Sequence, residues 1–141
     1  MCADADPNQL WIDVGTGVSV SGTSLDNSDI SVAIFARYRM NRWEIHAGGW
    51  DSSQVNRSNI TVGGGYVVPL WRGLNFTGGF ALADKSANIG THLRFYLSGR
   101  YEFKCWAISY VHYSNGESVF NHDREPNSGV DLFLLGRRLR C

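Results

Sequence analysis

The feature that most restricts this chain is a period-two alternation of apolar and polar residues, repeated in eight segments and broken by turn-forming residues. The segments are residues 10–20, 30–39, 43–50, 59–68, 74–82, 91–97, 101–114 and 130–139. Successive side chains of a strand point to opposite faces, so this alternation specifies strands with one apolar and one polar side. One face carries Leu10, Ile12, Val14, Val18, Ile30, Val32, Ile34, Trp43, Ile45, Ala47, Ile60, Val62, Tyr66, Leu74, Phe76 and Phe80. The other carries Asp13, Gly15, Gly17, Arg37, Arg39, Glu44, His46, Asn59, Thr61, Gly63, Asn75 and Thr77. Farther on, His92 and Arg94 oppose Leu93, Phe95 and Leu97. No stretch carries a 3.6-residue period, so the chain is read as all-β.

Connection lengths add a second pattern. Residues 40–42, 69–73 and 98–100 make tight turns, whereas 21–29, 51–58, 83–90 and 115–129 are longer and rich in Ser, Asn, Asp and Gly. Strict alternation of long and short places all long loops at one end of an antiparallel meander. Eight such strands close into a barrel and so remove the edge strands that would otherwise aggregate. The expected architecture is therefore one domain, residues 1–141, forming an eight-stranded antiparallel up-and-down β-barrel.

Two kinds of barrel fit that outline. A soluble lipid-binding barrel turns its apolar face inward around a ligand, while an outer-membrane barrel turns it outward to lipid. Glycines interleave with the charges of the polar face (Gly15, Gly17, Gly48, Gly63, Gly65 and Gly79), as a crowded lumen requires and a solvated face does not. Trp11, Trp43, Trp71 and Trp106 lie near strand ends or on the apolar side, as interfacial girdle residues do. The reading is an outer-membrane type barrel whose lumen is filled by polar residues, His46 and His92 among them. Thirteen basic residues balance thirteen acidic ones, which excludes a nucleic-acid partner of the usual basic kind. No apolar run approaches the roughly 18 residues of a membrane helix, a test that strands escape.

Cys2, Cys105 and Cys141 match no metal or redox spacing and read as unrelated thiols; a Cys2–Cys141 bridge requires the termini to meet, as an even strand count allows. The first eight residues carry no basic segment followed by an apolar one, so no secretory signal is read there.

Chemistry concentrates in the seventh segment, where Trp106, Ile108, Tyr110, His112 and Ser114 share the apolar face. A His and a Ser gain nothing from hydrocarbon. As a pair they supply a nucleophile and its base, and a third, acidic group is then needed to orient the imidazole. Asp131 enters on the next strand at the end where Ser114 leaves, and Asn115 and Gly116 offer backbone N–H groups for an oxyanion. His122, Asp123, Arg124 and Glu125 lack the spacing of a metal site and read as a solvated loop cluster.

The run His112-Tyr113-Ser114-Asn115, preceded by Ala107-Ile108-Ser109-Tyr110 and followed by Glu125-Pro126-Asn127-Ser128-Gly129-Val130-Asp131, resembles the lipid A 3-O-deacylase (PagL) family. The family pattern is H-[YFI]-S-N followed by P-N-x-G-x-E on the way into the last strand. The likeness covers the whole architecture in outline and the last thirty or so residues closely. It implies an outer-membrane serine esterase that hydrolyses the 3-O-acyl ester of lipid A in lipopolysaccharide, with no cofactor. Carried over, Ser114 is the nucleophile, His112 the general base and acid, and Asp131 the orienting acid. Asn115, Gly116 and Asn127 are candidates for the oxyanion and substrate site, and Trp106, Ile108 and Tyr110 form a wall for the acyl chain.

Three departures from the pattern follow. Asp131 stands where the family has Glu, one methylene shorter, with Glu117, Asp123 and Glu125 as substitutes; the loop 116–125 is long; and the chain ends Leu139-Arg140-Cys141 without a terminal aromatic. With the missing signal, the last point raises delivery from outside by a bacteriophage particle, in which case virion proteins join lipopolysaccharide and outer-membrane lipids as partners. The alternatives from other classes are a non-catalytic structural or docking barrel and a soluble lipid-binding barrel.

Overall fold

The computed structural model describes residues 8–20, 28–52, 59–83, 92–115 and 129–141. Eight strands follow one another: β1 (Asn8–Val20), β2 (Ser28–Met40), β3 (Trp43–Ser52), β4 (Asn59–Trp71), β5 (Leu74–Ala83), β6 (Leu93–Phe103), β7 (Trp106–Asn115) and β8 (Gly129–Arg138). Each pairs antiparallel with its sequence neighbour, and β8 closes on β1, giving the expected eight-stranded antiparallel barrel.

The apolar face is outside. Val14, Ile34, Ile45, Ile60, Val62, Phe80, Ile108 and Leu135 all lie on the exposed outer wall, while Asp13, Arg37, Glu44, Thr61, Thr77 and Arg94 are buried within. A soluble barrel would be the inverse. The interior is filled rather than hollow, as an eight-stranded barrel has room only for side chains or one small ligand. Its short-turn half holds an ion network. Arg37 bridges Asp13, at 2.9 Å, and Glu44; Arg39 reaches Glu44 at 3.3 Å and Glu102 at 2.7 Å; Arg100 meets Asp13 at 3.0 Å and Ser109 at 2.7 Å. Charges removed from water need such mutual partners, because desolvation outweighs a single poorly made pair. The half nearer the long loops is an apolar and aromatic plug of Ile30, Phe35, Trp50, Tyr96, Tyr113, Val130 and Leu132. His46 sits in it with Nε2 2.8 Å from the Tyr113 hydroxyl.

Several expectations need correction. Ile30, outward by alternation, is buried, because the β2–β3 register shifts between Ile30 and Val32 and the extra residue reverses the face. Trp11 is not a girdle residue: it is buried in the lumen, with Arg100 4.5 Å from its ring centroid. His92 is exposed, its Nδ1 2.8 Å from the Ala83 carbonyl oxygen, and does not belong to the lumen. The turn expected at 98–100 lies instead at Lys104–Cys105, because Ser98 and Arg100 are lumen residues of a continuous β6. Likewise β4 runs through Pro69 to Trp71, with Pro69 at a register irregularity where its missing N–H costs nothing. The chain then reverses at Arg72–Gly73, both with positive φ, the twist-matched hairpin turn. Cys105 and Cys141 form a disulfide, so these two are not unrelated thiols and Cys141 is not Cys2's partner. Cys2 lies outside the described residues.

Candidate active site

Strand β7 turns Ala107, Val111 and Tyr113 into the lumen, where all three are fully buried. That anchoring turns Ile108, Tyr110, His112 and Ser114 to the outer wall, with His112 and Ser114 half-buried toward the long-loop end. In the β7–β8 register, His112 stands directly opposite Asp131, Ser114 opposite Gly129, and Tyr110 opposite Phe133. His112 Nδ1 lies 2.6 Å from Asp131 Oδ1. The shorter acid therefore reaches the imidazole, since a directly opposed cross-strand pair needs no extra methylene. In the tautomer that donates from Nδ1, Nε2 is left as the proton acceptor.

The imidazole lies toward Ser114's side of the ladder. A Cβ built on Gly129 would stand 3.1 Å from His112 Cε1 and 3.8 Å from Nε2, a tight contact that a shift of a few tenths of an ångström in the ring would relieve. Among the described residues no hydrogen bond joins Ser114 Oγ to His112 Nε2; the acid–imidazole half of the arrangement is closed and the imidazole–hydroxyl half is open.

Tyr110 has a role that sequence reading missed. Its hydroxyl donates to the same Asp131 Oδ1 at 2.7 Å, making the carboxylate a two-donor acceptor. The signal was present: residues diagonal to a cross-strand pair lie within reach of a long side chain, and Tyr110 is diagonal to Asp131. Gly129 was missed as a packing requirement, because its constraint arises only once His112 is placed. Around the site, Leu97 and Phe95 of β6 lie opposite His112 and Ser114, and the Phe95 ring packs on Phe80 at 5.0 Å. Gly99, opposite Tyr110, leaves a dip in the wall with nothing within 4 Å of where a Cβ would be.

The remaining expected site residues are only partly gathered. The backbone of Asn115 pairs with Arg94 at the end of β7. Gly116 and Asn127, with the substitute acids Glu117, Asp123 and Glu125, lie outside the described residues. Trp106 is on the same face as Ser114 but at the opposite rim. The strand between them spans about 26 Å along its own axis. There it packs beneath Arg137, whose guanidinium carbon lies 5.2 Å from its ring centroid.

The fold and the direction of its faces define the class: an eight-stranded barrel of the outer-membrane type, apolar outside and packed with charges and aromatics within. Among solved structures the chain is similar to the crystal structure of Ail, the attachment invasion locus protein of Yersinia pestis, in complex with the heparin analogue sucrose octasulfate. The two share 12% identity at a TM-score of 0.53, over 94% of this chain and 97% of that one, a likeness of fold alone. No protein-family model and no curated protein sequence matches the chain.

Proposed function

We propose that this protein resides in the outer membrane and is a serine esterase acting on the 3-O-acyl ester of lipid A. The observation that carries the reading is the His112–Asp131 hydrogen bond of 2.6 Å on the outer wall, with Ser114 two residues along the same face. A nucleophile on the outside of a barrel suits a substrate that arrives sideways, within the leaflet. The sugar headgroup would lie at the long-loop end, and the acyl chain would run down the wall past Tyr110 and Ile108, over the dip at Gly99. His112 Nε2 takes the Ser114 proton as Oγ attacks the ester carbonyl carbon; the same proton then passes to the departing sugar hydroxyl, leaving an acyl-serine. Water, deprotonated by His112, releases the hydroxy-acyl chain and restores Ser114. Asp131 keeps the imidazole oriented and offsets its charge while it holds the proton. The Cys105–Cys141 disulfide supports a location outside the reducing cytosol.

Mass spectrometry of lipid A incubated with the wild type and with Ser114→Ala tests the proposal. Loss of one hydroxy-acyl chain with the wild type only is expected; equal spectra from both would overturn it. A second reading, a non-catalytic docking barrel, is favoured by the similarity to Ail, and the same spectra separate the two.

A further inference from the structure

Among the described residues, the charges exposed on side chains at the short-turn rim of the barrel are basic. Arg42, Arg72 and Lys104 occupy the turns after β2, β4 and β6, and Arg137, Arg138 and Arg140 lie at and beyond the end of β8, so the cations are spread around the whole circumference. All are exposed except Arg138, which is half-buried. Among the described residues no carboxylate side chain is exposed at this end. Glu102 is turned inward onto Arg39 at 2.7 Å and Arg100 at 3.3 Å, and the exposed Asp51 lies at the other end of the barrel.

A second observation is independent of charge. Four of these six positions, Arg42, Arg72, Lys104 and Arg137, adjoin an exposed aromatic ring on the outer wall. Trp43 follows Arg42 and Phe103 precedes Lys104. Trp71 precedes Arg72, whose guanidinium lies 5.8 Å from its ring centroid, and Trp106 is the cross-strand partner of Arg137. The disulfide and the bond from Arg138 N–H to the Cys105 carbonyl, 2.8 Å, hold the last basic residues against the Lys104 turn.

We propose that this rim docks on the headgroups of an anionic phospholipid leaflet. Tryptophan and its neighbours settle at the boundary between hydrocarbon and headgroups. A cation one residue nearer the rim then stands at the depth of the phosphates, which attract basic residues within a Debye length. The ring form decides between partners: a compact anion meets one quadrant of the rim, whereas a plane of phosphates meets all four at once. The inference rests on the membrane placement proposed above and not on the esterase chemistry.

The test uses the full chain in phosphatidylcholine nanodiscs doped with spin-labelled phosphatidylcholine or phosphatidylglycerol, read by the motionally restricted fraction in electron spin resonance. Preference for the anionic lipid should be about fivefold, the factor for one headgroup charge beside one rim cation. It should vanish in 1 M salt, where the Debye length is about 3 Å. The R42Q/R72Q/K104Q/R137Q variant should lose it, and the corresponding four-lysine version, with Lys104 kept, should retain it. Equal restriction of the two lipids overturns the proposal, as does a preference that survives the glutamine variant or high salt. If neither lipid is restricted, the membrane placement itself fails. The salt titration on the wild type decides the matter should the glutamine variant not fold. Binding of soluble polyglutamate without lipid preference would assign the rim to an acidic protein and overturn the lipid partner.

Discussion

Tyr110→Phe removes one hydroxyl and keeps the ring, so it isolates the Asp131 hydrogen bond from the acyl wall. A hydrogen bond to a charged group contributes about 1.5–3 kcal/mol. Here Tyr110 is 43% exposed and the Asp131 side chain 26%, so solvent screening pulls the figure below that range, to about 1–1.5 kcal/mol. If the Tyr110 hydroxyl serves to hold Asp131 in line with the imidazole, the loss falls on the transition state. Because about 1.4 kcal/mol is tenfold in rate, kcat should drop about 5- to 10-fold, with KM for lipid A unchanged. The assay is release of the hydroxy-acyl chain from lipid A in mixed micelles, with Ser114→Ala as the blank. In an Asp131→Ala background, which has no acceptor left, Tyr110→Phe should change kcat by less than about twofold, the non-additivity expected of coupled neighbours. The His112 Nδ1–H proton resonance should also shift in Tyr110→Phe, a readout that a purely packing role would leave in place. Equal kcat for Tyr110→Phe and wild type, with Ser114→Ala inactive, would refute the positioning role while leaving the esterase standing. Additive effects with Asp131→Ala would refute it as well.

Two other outcomes are expected. Gly129→Val sets a Cβ 3.1 Å from His112 Cε1 and adds two methyl groups beyond it, which push the ring off the Ser114 side; kcat should fall about 10- to 100-fold while the barrel still forms, as judged by heat-modifiable gel mobility. Full activity would show that His112 is not held where the structure has it. Arg37→Met strips a buried partner from both Asp13 and Glu44. Asp13 keeps Arg100 at 3.0 Å, and Glu44 keeps Arg39 at 3.3 Å and the Tyr96 hydroxyl at 3.2 Å, so the loss in urea unfolding should sit at the low end for a broken buried pair, about 3 kcal/mol. A loss under about 1 kcal/mol would mean the lumen network is not stabilising.

The strands were legible because alternation is a local property: a residue's face follows from its parity, whatever the strand pairs with. The departures came where parity breaks or where a partner lies far along the chain. Ile30 turned inward because one bulge residue at Ser31 inverts the pattern beyond it. Ser98 and Arg100 read as a turn because their lumen partners, Asp13 above all, are distant in sequence. The His112–Ser114 pairing on one face was a matter of parity and could be read directly. The Asp131 contact needed the β7–β8 register, and the Tyr110 hydrogen bond followed from that register in turn.

The sequence by itself determined that there are eight amphipathic strands and, Ile30 apart, which residues share each face. These are consequences of spacing, and spacing is independent of closure. Only the tertiary structure decided that the apolar face points out, that Trp11 is a lumen residue, that Cys105 bonds Cys141, and that Asp131 reaches His112. Each of these depends on which strands close the barrel and in what register. Closure leaves an interior just wide enough for Arg37, Glu44, Tyr96 and Asp13 to satisfy one another, and that mutual satisfaction lets the polar face be the inside.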